Sequence, residues 1–400
     1  MIVIRDHLKD GILTPDLANQ ALNIGIPWNE VAPYVDDEAW WYEQPVTGAS
    51  ISQRNFQILS YGATLHLQVD GFSIWVDPGP QAPTPEVSPT FILLTHAHRD
   101  HYDKLPVFLE KFPETPVVMH RLTRRILKSI YQGTYPNPGL QPNIVEMDFG
   151  KHMILRNFEI KCYRAGHVLG AAMFSLGHDD TAILVTGDFT LRQVGGIEGA
   201  EIPDAPFHFV ALNVAGTGGP GSFPRADPKT NHQRILSEIN RRIEKRTGHF
   251  FLSCKALGEA QEIYASLIEA QRLGWFDHFR VRLAGFAHEW SSLYFEECNS
   301  SSDNKVWKFP PCELIDWEDR SSIGIIPEGL LINSSMMENV YYLNGVNTHA
   351  SWSELMTFAA STPCQTIGLY DGANNHLLFA LKKMGKELRY IPNGKEFFSI

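Results

Sequence analysis

The chain has 400 residues, room for two or three domains at roughly 100–200 residues each, and its 44% hydrophobic and 20% charged residues exclude a disordered chain. A formal net charge of −11, from 34 Lys+Arg against 45 Asp+Glu, argues against a protein coated in positive charge for nucleic acid. It leaves room for a local basic groove, or for metal ions that bring their own charge to a site.

The first 50 residues are polar, with Trp28, Trp40 and Trp41 set between Pro15, Pro27, Pro33 and Pro45, and read as a short helical extension. Met1 to His7 has neither the basic start nor the apolar stretch of a signal peptide, and no apolar run reaches the ~18 residues of a membrane helix. A cytoplasmic protein with no membrane partner is expected. The pattern changes at residue 51. Alternating apolar runs predict strands at 56–60, 63–69 and 72–76, with turns at Tyr61-Gly62 and Asp70-Gly71 and a stop at Asp77-Pro78-Gly79-Pro80. A buried strand at 91–94, helices at 104–111 and 122–131, and strands at 158–163, 171–176 and 181–185 follow. The Gly-rich run from Ala215 to Ser222 reads as a domain junction. Beyond it, helices at 229–246 and 257–273 alternate with strands at 250–253, 279–283 and 329–333. A helix at 355–360, a strand at 366–370 and a helix at 374–384 close the chain. Strands with helices between them make an α/β layered fold.

The sharpest chemical feature is Thr95-His96-Ala97-His98-Arg99-Asp100-His101, directly after the buried strand. His96 and His98 are two apart, so on an extended backbone they face one side and can share a metal ion. Asp100 and His101 follow in the turn and can serve a second one. Neutral imidazole and anionic carboxylate suit zinc and similar borderline ions. The five cysteines (162, 254, 298, 312, 364) form no CxxC, which argues against a disulfide framework or a cysteine zinc knot.

His-x-His-x-Asp-His resembles the signature of the metallo-β-lactamase superfamily. Asp77, closing Ile74-Trp-Val-Asp-Pro-Gly, resembles its first motif, a carboxylate that orients a metal ligand. Ala165-Gly-His-Val-Leu-Gly-Ala-Ala-Met-Phe and Thr186-Gly-Asp-Phe are similar to the third and fourth motifs of the β-CASP nuclease group, which includes RNase J, the mRNA 3′-end-processing endonuclease and Artemis-type DNA nucleases. Ala256-Leu-Gly-Glu-Ala-Gln-Glu and Asn347-Thr-His-Ala-Ser-Trp-Ser-Glu-Leu resemble later segments of the same group.

The resemblance implies an αββα metallo-β-lactamase sandwich with an inserted α/β β-CASP domain. Its implied divisions are an extension (1–50), a first sandwich segment (51–215), the insert (216–345) and a second sandwich segment (346–400). It implies two divalent ions, zinc first, with manganese or magnesium admitted at the second position. His96, His98 and His167 would hold one ion, Asp100, His101 and Asp371 the other, with Asp188 bridging. Asp100 and Asp188 would act in catalysis, and His349 would protonate the leaving group. The implied reaction is hydrolysis of an RNA or DNA phosphodiester by water that two metals activate, with RNA weakly favoured. Arg124 and Arg125, and Arg241 and Arg242 in the insert, are candidates for phosphate binding. A second copy of the chain or a partner protein is further expected company.

This sequence departs from the group at two motifs. Asn213 stands where an acid facing His349 is expected, and Asp371 stands where a histidine or valine is usual. The insert also looks short, and its Gly-rich loop is reduced to Asn333-Ser-Ser-Met-Met. The alternatives are a metallohydrolase of small molecules, and a non-catalytic subunit of the same shape that binds nucleic acid or a partner enzyme.

Overall fold

The computed structural model describes residues 56–134, 143–215, 228–243, 250–275, 278–300, 308–319, 321–330, 339–342, 348–372, 375–383, 385–391, 393–394 and 398–399. The expected extension over 1–50, the domain junction's core and the Asn333-Ser-Ser-Met-Met loop lie outside them. In chain order the first sheet's elements are β1 (Gln57–Tyr61), β2 (Thr64–Val69), β3 (Phe72–Val76), β4 (Phe91–Leu94), α1 (Arg99–Tyr102), α2 (Leu105–Lys111), β5 (Val117–His120), α3 (Arg121–Thr134) and β6 (Ile144–Met147). The second sheet begins with β7 (His152–Leu155), β8 (Phe158–Arg164), β9 (Ala172–His178), β10 (Thr181–Val185) and β11 (Phe207–Asn213). A third unit follows: α4 (Pro228–Ile243), β12 (Phe250–Cys254), α5 (Glu259–Arg272), β13 (Arg280–Leu283), α6 (Gly285–Ser300), β14 (Ser322–Pro327) and β15 (Val340–Tyr342). The chain then returns as α7 (Trp352–Ser361), β16 (Cys364–Tyr370), α8 (Asn375–Lys382), β17 (Glu387–Tyr390) and β18 (Phe398–Ser399).

Two seven-stranded sheets run in the orders β18-β1-β2-β3-β4-β5-β6 and β17-β16-β11-β10-β9-β8-β7. The β2–β3 hairpin forms because Asp70 and Gly71 both adopt positive φ (47° and 82°), as a two-residue turn between twisted strands requires. Strand alternation then decides which side chain faces which layer. In β4, Phe91 and Leu93 point inward while Ile92 and Leu94 point outward; in β11, Phe209 and Ala211 point in while Val210 and Leu212 point out. The inward sets of both sheets meet in one core with Ile74, Val76, Ile160 and Phe174. The outward sets bury Leu105, Phe108 and Ile126 on one side and Leu355, Phe358 and Leu377 on the other. The layers are therefore helix, sheet, sheet, helix, the αββα metallo-β-lactamase arrangement.

The third sheet is all parallel, in the order β13-β14-β12-β15, and belongs to the segment between β11 and β16. Those two strands are themselves parallel neighbours, with Asn213 opposite Tyr370. The strand expected at 329–333 lies for the most part outside the described residues, with Gly329 in a turn at φ 78°; β14, just before it, was not expected. Gly324 and Pro327 lie inside β14, and both are poor strand formers, which hid it. Gly324 is needed there, because a Cβ would come within 2.6 Å of Ile315 and 2.8 Å of Phe251.

Candidate metal centre

Six strand ends and loops converge at one rim of the sandwich. Asp77 follows β3, Thr95 and His96 follow β4, and His167 lies in the loop between β8 and β9. Asp188 follows β10, Asn213 ends β11 and Asp371 follows β16. Asp77, His167 and Asp371 all sit at positive φ (51°, 56° and 57°). Asp and His tolerate that region better than most side chains, and such strain concentrates where a side chain must be aimed.

His96 Nε2 and His167 Nε2 lie 3.0 and 3.1 Å from His98 Nδ1. The far nitrogen of each ring meets a group that accepts. His98 Nε2 donates to the Leu257 carbonyl (3.1 Å) and His167 Nδ1 to the Thr348 carbonyl (3.0 Å). His96 Nδ1 meets Thr95 Oγ1 (3.0 Å), whose own proton goes to Asp77 Oδ2 (2.6 Å). These bonds assign the tautomers. A neutral imidazole has one N–H, so the three inward nitrogens carry bare lone pairs aimed at one another. Only a cation reconciles them.

Asp188 is the hub. Its Oδ2 lies 3.7 Å from His96 Nε2, 3.6 Å from His167 Nε2, 3.4 Å from His101 Nε2 and 3.3 Å from His349 Nδ1. Its Oδ1, and His101 Nε2, are buried without a hydrogen-bond partner. Asp77, fully buried, accepts from Thr95 N (2.7 Å), Thr95 Oγ1 (2.6 Å) and His101 Nδ1 (2.9 Å), so His101 also turns its other nitrogen inward. Two sets of ligand atoms emerge: His96, His98, His167 and Asp188, and His101, Asp188 and Asp371, each within 4.8 Å.

Charge favours the ligand state. Burial first, then neighbouring imidazoles, hold His96 and His167 well below the usual histidine value, so both stay neutral. Burial, then Lys255, lowers His98 to about 4. Burial opposes ionised Asp188, but His101 and His349 outweigh it and hold its carboxyl well below the usual range. Burial likewise opposes a proton on His101, yet Asp188 and Asp77 hold that ring well above its usual value. That proton stands where a cation would bind, and metal binding would release it. Burial first, then Asp188, pushes Asp371 up to about 6, a penalty that a bound cation would offset. Neutral His96, His98 and His167, an ionised Asp188 and orphaned inward atoms together fit divalent metal ions.

The other sequence-derived residues fall out as follows. Asp100 is exposed on the first turn of α1, outside both sets, though its charge reaches His98, His349 and Asp371. His349, its side chain 19% exposed, turns Nδ1 to Asp188. Asn213 donates from Nδ2 to Asp371 Oδ2 (3.2 Å). The parallel register of β11 and β16 brings Asn213 to Asp371, and Asp188 is a carboxylate beside His349. Arg124 pairs with Glu146, and Arg125 with Glu296 (2.9 Å) and Glu297 (3.1 Å). With Arg121, which grips Glu297 by two bonds, Arg125 clasps α3 to α6. Arg241 pairs with Glu238 on its own helix; Arg242 lies on α4, its side chain outside the described residues.

Sequence reading missed three contributors. Lys255 is exposed at the end of β12, and its charge is felt at His98 and His349. Its place next to Ala256-Leu-Gly was the available signal. The Leu257 and Thr348 carbonyls are backbone groups and left none. Leu257 is presented by Gly258, whose φ of 89° and whose 2.7 Å spacing from Val168 to a would-be Cβ admit no side chain comfortably. Glu354 caps α7 through Ser351 N (2.8 Å) and also takes Arg192 N (2.8 Å) and Thr190 Oγ1 (2.8 Å), while Arg192 holds the His349 carbonyl (3.1 Å). That network seats His349.

Endoribonuclease YSH1 of Gibberella zeae is 29% identical to the chain over 197 residues, 44% of this chain and 23% of the relative. The match to cleavage and polyadenylation specificity factor subunit 3-I of Arabidopsis thaliana is 27% over 204 residues, 46% of this chain and 29% of the relative. The chain is a homologue of β-CASP metallo-β-lactamase nucleases. The matched region thus spans about a quarter of these curated relatives. A crystal structure of a protein of unknown function from Enterococcus faecalis superposes with a TM-score of 0.55 at 11% identity, covering 87% of this chain and 100% of that one. That likeness concerns the fold alone. No family model matches the chain.

Proposed function

We propose that the chain is a metal-dependent nuclease that hydrolyses RNA phosphodiesters. The observation that carries this reading is the set of inward lone pairs on His96, His98 and His167 around Asp188. The names of the relatives, endoribonucleases and a subunit of a cleavage and polyadenylation factor, support RNA over DNA and company with partner proteins. Residues 51–215 and 346–400 would form the catalytic lobe and 216–345 the insert above it.

His96, His98, His167 and Asp188 would hold zinc; His101, Asp188 and Asp371 would hold a second divalent ion, with Asp100 at the rim. Bound ions supply Lewis-acid stabilisation of the transition state and lower the pKa of attacking water. The chain's own residues do the rest. Asp77 and Thr95 fix His101 and His96. His349 stands at the exposed side of Asp188; burial lowers its hold on a proton while Asp188 opposes that, so a proton it carries there would pass readily to a leaving oxygen, a role worth about 10²–10⁴ in rate. Lys255 offers positive charge to an approaching phosphate.

The test is an assay of the full chain on end-labelled RNA and DNA with added Zn²⁺ or Mn²⁺, beside elemental analysis. RNA is cut, and His96→Ala combined with Asp188→Asn loses both metal and cleavage. A double variant with full metal content and cleavage would sink the assignment.

A further inference from the structure

Asn213 is 4% exposed and fully engaged. Its Oδ1 accepts from Ala215 N (2.7 Å), a group that only donates, so the end facing Asp371 must be the NH₂. Its backbone N–H is tied to Thr186 Oγ1 (3.0 Å), and β11 is locked to β16 in register beside it. The amide therefore cannot turn over without losing the Ala215 bond. Asp371, in turn, sits at positive φ with one carboxylate oxygen held by that amide.

We propose that Asn213 is a positioning residue matched to Asp371, and that together they make the second metal position an oxygen-rich subsite for a hard divalent ion such as Mn²⁺ or Mg²⁺. This rests on the metal-centre reading above and deepens it. The two positions have unlike donors. The first has three imidazoles and one carboxylate; the second has one imidazole, His101, and two carboxylates, Asp188 and Asp371. Nitrogen-rich sets favour zinc, and carboxylate-rich sets favour manganese and magnesium. An acid at 213 would set a carboxylate oxygen about where Nδ2 now stands, 3.2 Å from Asp371 Oδ2. Two carboxylate oxygens would then face each other with no hydrogen between them, so Asp371 would lose the bond that holds it and be pushed from its present position. Asparagine is thus the partner that an aspartate ligand needs, as an acid would be for a histidine ligand, whose N–H it can accept.

The experiment loads metal-stripped full-length protein with one equivalent of Zn²⁺ and titrates Mn²⁺, reading free Mn²⁺ by its electron paramagnetic resonance signal. The parent binds one Mn²⁺ beside the retained Zn²⁺. Asn213→Ala, which removes the donor without adding charge, weakens Mn²⁺ moderately. Asn213→Asp weakens it further, by about 10–100-fold, with Zn²⁺ content unchanged. Asn213→Asp combined with Asp371→His recovers a second bound metal and shifts its preference to Zn²⁺. A merely structural role for Asn213 would not give that rescue. Equal Mn²⁺ affinity in parent and Asn213→Asp, or a double variant no better than Asn213→Asp in total bound metal, overturns the pairing. A parent that keeps one Zn²⁺ but takes no Mn²⁺ overturns the hard-ion subsite alone. A parent that binds neither ion defeats the metal-centre reading and this inference with it.

Discussion

Replacing Asp77 by asparagine changes one oxygen to NH₂ and little else in volume, yet it should disturb two ligands at once. In the parent, Asp77 Oδ2 receives both Thr95 Oγ1–H and His101 Nδ1–H. In Asp77→Asn, Oδ1 keeps the Thr95 N–H, and the new NH₂ faces two former donors. To accept from it, His101 must move its proton from Nδ1 to Nε2, the atom aimed at Asp188. Thr95 Oγ1 must likewise stop donating to residue 77 and donate to His96 Nδ1, which moves that ring's proton to its own inward nitrogen. One inward lone pair is lost from each of the two metal positions. Loss of such an orienting partner typically costs 10–100-fold in metal affinity, about 1.4–2.7 kcal/mol per ligand. The expected loss is therefore about 10–100-fold at each position. Competition against a chromogenic chelator, with Co²⁺ or Zn²⁺, reads both steps. The metal-free variant should melt close to the metal-free parent, separating this effect from a damaged fold. Parent-like affinity at both positions would refute the tautomer reasoning.

His349→Ala should keep both metals by elemental analysis and lower turnover about 10²–10⁴-fold; parent-like turnover would assign leaving-group protonation elsewhere. Lys255→Ala should raise KM for RNA and flatten its salt dependence while leaving metal content intact, and an unchanged KM would remove it from phosphate attraction. Glu297 is held below its usual value of 4.5 first by its hydrogen bonds with Arg121, which outweigh burial, so its stabilising contribution is present above that value and is lost as pH falls through the depressed one. Glu297→Gln should accordingly melt lower than the parent at neutral pH, by about 1 kcal/mol in stability, and the gap should close in acid; a pH-independent gap would show that packing, not the ion pair, holds the clasp.

The features legible in the sequence are those encoded locally. The strands before Asp77, His96 and Asp188 are short apolar runs bounded by turn residues, and His-x-His-x-Asp-His packs its donors into one turn. The helix α6 was missed because GFAHEWSSLYFEECNS mixes aromatic, serine and glycine residues, mostly weak helix formers, and it folds by burying Trp290 and Tyr294 against the sandwich. Tyr294 goes further, accepting the Leu169 N–H (2.8 Å) beside His167. The edge strand β7 was missed because its burial alternates only between exposed and half-buried. The meeting of Asn213 with Asp371 was beyond local reading altogether. It is set by a strand register between segments 158 residues apart. The pairing of Arg125 with Glu296 and Glu297 is equally non-local.

Because β16 lies beside β11 while the third sheet is strung between them, the centre is built in two instalments as the chain is synthesised. His96, His98, His101, His167 and Asp188 all precede residue 200, so a nascent chain already carries the histidine-rich part of the cluster. The Leu257 carbonyl that fixes His98 arrives next, and the Thr348 carbonyl, His349 and Asp371 come only when the ribosome has passed the insert. An ion taken early would meet His96 and His101 already held through Thr95 and Asp77, but His98 and His167 without their carbonyl anchors. The complete set of ligands and their backbone anchors therefore waits for the last strands to pair.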